Sequence, residues 1–218
     1  MEITWSIVLA AGSGSRFGGN KQQAMLGHQR VVEWSIATAQ TCCDGVVLVV
    51  HPDTVNDSYE PGAEIVVAGG KSRSESVRNG LQVVPPEATI VVVQDAARPG
   101  ASVDLYRSVI EAVQAGADAA IPGLAVIDTL KRVIDTPTGK EVKETVDRDT
   151  LMAIQTPQAF KRHVLEVAHA RGEEATDDAG LVEAIGGTIH VVPGELNAIK
   201  ITTPKDLNIA AELMGLNS

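Results

Sequence analysis

The sequence predicts an α/β protein built on a doubly wound, mainly parallel sheet. Two observations carry this. Short runs rich in Val and Ile are continuous rather than alternating, as strands covered on both faces require. Between them lie stretches with apolar residues at helical spacing, in the order β-α-β-β-α-β-α-β. A break in that pattern over residues 124–156 predicts a protruding β-arm.

The strand runs are SIVLA (6–10), GVVLVV (45–50), EIVVA (64–68), TIVVVQ (89–94) and DAAIP (118–122). Val31, Trp34, Ser35 and Thr38 fall on one helical face. Val77, Leu81 and Val84 do the same, as do Val103, Tyr106, Ile110 and Val113. Ser72 and Ser102 stand where helix N-caps are needed. Residues 124–156 read as two extended pieces around the turn TPTGK (136–140). A two-stranded arm is marginal alone, and a second copy of the chain is its simplest partner. Helices near 161–170 and 177–185 and strands near 188–192 and 198–202 follow, then a helix opening at Pro204. Without repeats or a linker, residues 1–218 form one domain with an arm.

Composition narrows the partners. Apolar residues make up 44% of the 218, enough for a full core. Aromatics are only 3% and the net charge is −10, which argue against nucleic acid as a ligand. Any phosphate site must be a local cluster of cations. The two cysteines, Cys42 and Cys43, are adjacent and too few for a zinc site. The N-terminus lacks a basic n-region, and no apolar run reaches membrane-spanning length. The expectation is a cytoplasmic protein with no membrane association.

The stretch LAAGSGSRFGGNK (9–21) holds four glycines and two cations, Arg16 and Lys21. It fails the Walker A template, because Gly19 is followed by Asn20 before Lys21. It is one residue too long for the dinucleotide fingerprint, although Asp53 supplies the acid a dehydrogenase would need. A third template fits: a long loop after the first strand whose glycines admit phosphate oxygens to backbone N–H groups, with two cations straddling a triphosphate.

Four further stretches stand in order behind this loop. They are GGKSRSESV (69–77), VQDAARP (93–99), TVDR (145–148) with Thr156-Pro157-Gln158, and Thr176-Asp177-Asp178 with NAIKIT (197–202). Together they resemble the 2-C-methyl-D-erythritol 4-phosphate cytidylyltransferases, from about Ser6 to the final helix. Two positions depart from the family pattern, Gln23 after Lys-Gln and Gln94 before Asp-Ala-Ala-Arg-Pro.

The resemblance implies a nucleotidyltransferase-like variant of the Rossmann fold. It implies transfer of a cytidylyl group from CTP to 2-C-methyl-D-erythritol 4-phosphate, with release of pyrophosphate. Arg16, Lys21 and Lys200 would act on the phosphates. Ala10, Ala11, Gly12, Gly70, Ser76 and Asp95 would bind the nucleotide, in a pocket too small for a purine. Arg73 would support that pocket. Asp95 would also hold Mg²⁺. Arg98, Thr129, Arg148, Thr156 and Thr176 would bind the sugar phosphate, with Thr129 and Arg148 reaching a neighbouring subunit from the arm of a homodimer. Lys200, between Ile199 and Ile201, is expected in a strand with its ammonium aimed at the α-phosphate. The attacking phosphate is already an anion, so the chemistry asks for positioning and charge stabilisation rather than a strong base. The five histidines show no metal spacing. Three other readings remain: a cytidylyltransferase for another polyol phosphate such as ribitol 5-phosphate, a nicotinamide-dependent oxidoreductase, and a nucleotide-binding module without turnover. Ala10-Ala11-Gly12 favours the methylerythritol reading over the ribitol one.

Overall fold

The computed structural model describes residues 2–12, 14, 16–57 and 61–216, so Ser13 and Ser15 of the glycine loop lie outside the described residues. The chain opens with β1 (Thr4–Leu9), a small hairpin of β2 (Met25–Leu26) and β3 (Gln29–Arg30), α1 (Val31–Cys42), β4 (Gly45–Val50) and β5 (Ile65–Ala68). Next come α2 (Arg73–Leu81), β6 (Ile90–Asp95), α3 (Val103–Gln114) and β7 (Ala119–Ala125). The arm is β8 (Leu130–Thr136) and β9 (Gly139–Val146). After it run β10 (Met152–Ile154), β11 (Gln158–Lys161), α4 (Arg162–Ala170), α5 (Asp178–Ala184), β12 (Ile189–Pro193) and α6 (Pro204–Leu213).

β5, β4, β1 and β6 are neighbours and all parallel. β11 lies antiparallel between β6 and β7, and β12 pairs with β7 in parallel. The sheet is therefore parallel apart from β11 and its short forerunner β10. Successive residues of each central strand serve opposite faces. Val8, Val46, Leu48 and Val92 pack with Ile36, Tyr106 and Val109 of α1 and α3. Ile7, Val47, Val49 and Val93 pack with Val77, Leu165 and Val182 of α2, α4 and α5. This two-sided burial is why the strand runs are unbroken in Val and Ile.

Both expected caps form. The Ser72 and Ser102 side chains accept N–H bonds from Glu75 and Leu105, and Pro204 occupies the first turn of α6. Three features differ from expectation. The β2–β3 hairpin carries no strand-length run and was not foreseen. Residues 124–125 and 152–154 belong to the main sheet, so the arm proper is 126–151. The expected strand at 198–202 is absent: Leu196–Ala198 is a 3₁₀ turn, and beyond it the Ile201 N–H bonds the Ala97 carbonyl at 2.8 Å. The alternation that mimics a strand there has another origin. Ile199 and Ile201 pack into a small third core with Leu26, Val31 and α6, leaving Lys200 to face the other way.

Candidate active site

The strands β1, β5 and β6 all end at the same edge of the sheet, where ligands bind in folds of this kind. The cleft there has a volume of about 770 Å³. Its walls come from the loops leaving β1, β4, β5 and β6, from α2 and from Lys200.

After β1 the glycine loop turns back on itself, with Gly14 at a φ of 62° that favours glycine. Asn20 then caps a 3₁₀ turn, accepting from the Gln22 N–H at 3.2 Å. That turn aims Lys21 into the cleft, where its ammonium donates to the Ile201 carbonyl at 2.8 Å. Burial and the neighbouring Lys200 ammonium hold the pKa of Lys21 below its ordinary value. After β5, Gly69 approaches so closely that an added Cβ would collide with Ala11. Ser76 Oγ accepts from the Gly70 N–H at 3.0 Å and donates to the Ser72 carbonyl at 2.8 Å, closing this wall.

Asp95 ends β6 at the cleft floor. One carboxylate oxygen meets Lys200 Nζ at 2.6 Å and the other meets Arg73 Nε at 3.4 Å. Burial alone would raise its pKa, but the charges of Arg73 and Lys200 outweigh burial and hold the carboxyl below the usual range. Its backbone N–H donates to Thr156 Oγ1 at 3.0 Å. Arg73 is in turn anchored by Asp178, 2.7 Å from its Nη1, and Asp178 meets His169 Nε2 at 3.0 Å.

Of the residues singled out from sequence, Ala11, Gly12, Lys21, Gly70, Ser76, Asp95 and Lys200 line one cleft. Ala10 is buried in the core beneath it. Arg16 is exposed on the loop, outside the lining, though its charge is felt at Lys21. Arg98 points elsewhere, donating to the Ala198 carbonyl at 2.7 Å, and so fastens the segment that carries Lys200. Thr156 is buried beneath Asp95, and Thr176 is exposed just before α5. Thr129 and Arg148 are exposed on the arm and do not line the cleft of their own chain. Asp178 and His169 were missed as individual residues. Asp178 stood only as the last letter of Thr-Asp-Asp, and no local pattern links it to a histidine on another helix.

The fold and this cleft define a doubly wound α/β protein with a cation-bearing cleft at the carboxyl edge of its sheet. Comparison with known proteins is more specific. Residues 4–215 match the family described as IspD: 2-C-methyl-D-erythritol 4-phosphate cytidylyltransferase, and the chain belongs to that family. It is 40% identical, over 95% of its length, to 56% of the bifunctional enzyme IspD/IspF of Solidesulfovibrio magneticus. It is 38% identical to the 2-C-methyl-D-erythritol 4-phosphate cytidylyltransferase of Streptomyces avermitilis, covering 97% of this chain and 91% of the relative. The crystal structure of the Thermus thermophilus enzyme of that name superposes with a TM-score of 0.80 and 34% identity, over 99% of this chain and 100% of that one. The chain spans about half the length of the bifunctional relatives it matches.

Proposed function

We propose that the chain transfers a cytidylyl group from CTP to 2-C-methyl-D-erythritol 4-phosphate, giving the CDP-alcohol and pyrophosphate, a step in isoprenoid precursor synthesis. The observation that carries this is the convergence of Lys21, Lys200 and Asp95 at the mouth of a glycine-walled cleft, in a chain of the IspD family. An oxygen of the acceptor phosphate attacks the α-phosphorus as the bond to the pyrophosphate leaving group breaks. Lys21 and Lys200 offset the charge that gathers on the α-phosphoryl oxygens. The recess at Ala11, Gly70 and Ser76 takes the pyrimidine, and the close approach of Gly69 to Ala11 narrows it, which supports selection against a purine.

Asp95 is the residue that would hold Mg²⁺. Its carboxylate lies in the cleft lining with Lys21 and Lys200, where it could share a cation with substrate phosphates. When bound, the ion neutralises phosphate charge. The arm favours a homodimer, because Ile127, Val133, Ile134 and Val142 are exposed along it. Among the described residues no helix is long and apolar enough to cross a membrane. A cytoplasmic location fits the two free cysteines, Cys42 and Cys43, and the net charge of −10 disfavours nucleic-acid partners.

Pyrophosphate release tests the reading. With Mg²⁺ present, CTP and methylerythritol phosphate should give pyrophosphate, while ATP or GTP in place of CTP should not. Release with ribitol 5-phosphate but not with methylerythritol phosphate would reassign the acceptor. Equal use of ATP would refute the pocket argument.

A further inference from the structure

A line of polar and charged side chains runs from the cleft into the interior: Lys200, Asp95, Arg73, Asp178 and His169, each within 3.4 Å of the next. Its outer members reach solvent at the cleft, with Lys200 41% and Arg73 25% exposed. Its inner members do not, at 1% for Asp178 and 2% for His169. Stability does not explain it, since a buried ion pair is often no more stabilising than apolar residues of the same volume.

The geometry suggests a different use. Arg73 is the first residue of α2, Asp178 the first of α5, and His169 lies in the last turn of α4. Three separate elements are thus spent on one guanidinium. Asp178 grips Nη1 at 2.7 Å, which turns Nε toward Asp95. His169 Nε2 fixes the other oxygen of Asp178, while its Nδ1 is buried without a partner among the described residues. Asp95 is itself 8% exposed. When Lys200 turns from Asp95 to a substrate phosphate, a buried carboxylate loses one of its two cations. Arg73 is the one that stays.

We propose that Arg73, fixed by the buried Asp178–His169 pair, is a positioning residue that holds the Asp95 carboxylate in place while Lys200 serves the phosphates. The inference rests on the cytidylyltransferase reading. Asp178 also follows Thr176 and Asp177 directly, so the same contact ties the loop expected to hold the acceptor phosphate to the nucleotide side of the cleft.

The test uses Arg73→Lys, Asp178→Asn, His169→Leu and His169→Gln, with kcat, both KM values, calorimetric CTP binding and Tm measured for each. Gln places an amide N–H near the position of the imidazole Nε2 and can still donate to Asp178. Arg73→Lys and Asp178→Asn should lower kcat about 10- to 100-fold, the range for residues that orient a ligating group, and weaken CTP binding in the presence of Mg²⁺, since Asp95 serves the nucleotide side of the cleft. His169→Leu should lower kcat and His169→Gln restore it. Folded variants that lose Tm alone, with kcat intact, would overturn the proposal. So would His169→Gln matching His169→Leu in kcat. Should Asp178→Asn fail to fold, the part-exposed Arg73→Lys decides the matter by the same criterion. A wild type that releases no pyrophosphate sinks the functional reading and this inference together. An active wild type with unaffected variants sinks only this one.

Discussion

Lys200 and Asp95 form a contact that the proposed chemistry requires to break. At 2.6 Å the pair neutralises two charges at the floor of the cleft, yet Lys200 remains 41% exposed and free to swing. Removing its ammonium leaves Asp95 with Arg73, so the carboxylate is not stranded. The Lys200→Ala protein should therefore fold, with a Tm near that of the wild type. Its turnover should fall by about 10²–10³-fold, the loss expected for one preorganised charge-stabilising donor. Lys21→Ala should behave alike, since its ammonium hydrogen-bonds the Ile201 carbonyl and packs no core. Near-normal kcat in a folded Lys200→Ala protein would refute its role. These cations could be found in sequence because a lysine in a glycine loop, or between two isoleucines, is locally conspicuous. The Arg73–Asp178 contact could not, because it joins residues 105 apart and depends on how α2 and α5 are docked.

At the scale of elements, the continuous strands were readable because helices cover both faces of the sheet, so each residue had to be apolar. Edges follow no such rule. β12 has the exposed His190 and Val191, and its place beside β7 depends on polar contacts at its start. Asp118 supplies them. Its carboxylate accepts from the Thr188 N–H at 3.0 Å, from the Thr188 hydroxyl at 2.9 Å and from Lys161 Nζ at 3.0 Å. One side chain thus joins the starts of β7 and β12 to the end of β11. These bonds, led by the Thr188 N–H, lower the Asp118 pKa to about 2. A carboxylate with a lowered folded-state pKa contributes stability above its unfolded value, near 3.9, and loses it as pH falls through the folded value. Asp118→Asn should therefore lower Tm at pH 7 by about 2–4 °C, the shift for roughly 1 kcal/mol in a domain of this size. The difference should close as pH falls toward 2, where the wild-type carboxylate is itself protonated. Thermal melts across that range check the sign. A gap that widens in acid would show that the contact acts through something other than the carboxylate charge.

At the scale of the whole molecule, the residues expected of one site lie in two places. Lys21, Asp95 and Lys200 gather in the cleft, whereas Thr129 and Arg148 stay out on an exposed arm. The hairpin was evident in sequence from its turn, but no local pattern records where an exposed arm points. If the arm crosses a two-fold axis, each site combines Lys200 of one chain with Arg148 of the other. Arg148→Ala and Lys200→Ala homodimers should then both be nearly inactive. Unfolded and refolded together, they should form hybrids as about half of all dimers, and in each hybrid one site carries both lesions while the other carries neither. Activity should then return to about a quarter of wild type, since an isologous dimer places its two sites symmetrically. If Arg148 serves its own chain instead, every site in the mixture keeps one lesion and no activity returns. Hybrid dimers demonstrated by mass spectrometry, but without recovered turnover, would rule out the shared site while leaving the cytidylyltransferase reading of the cleft intact.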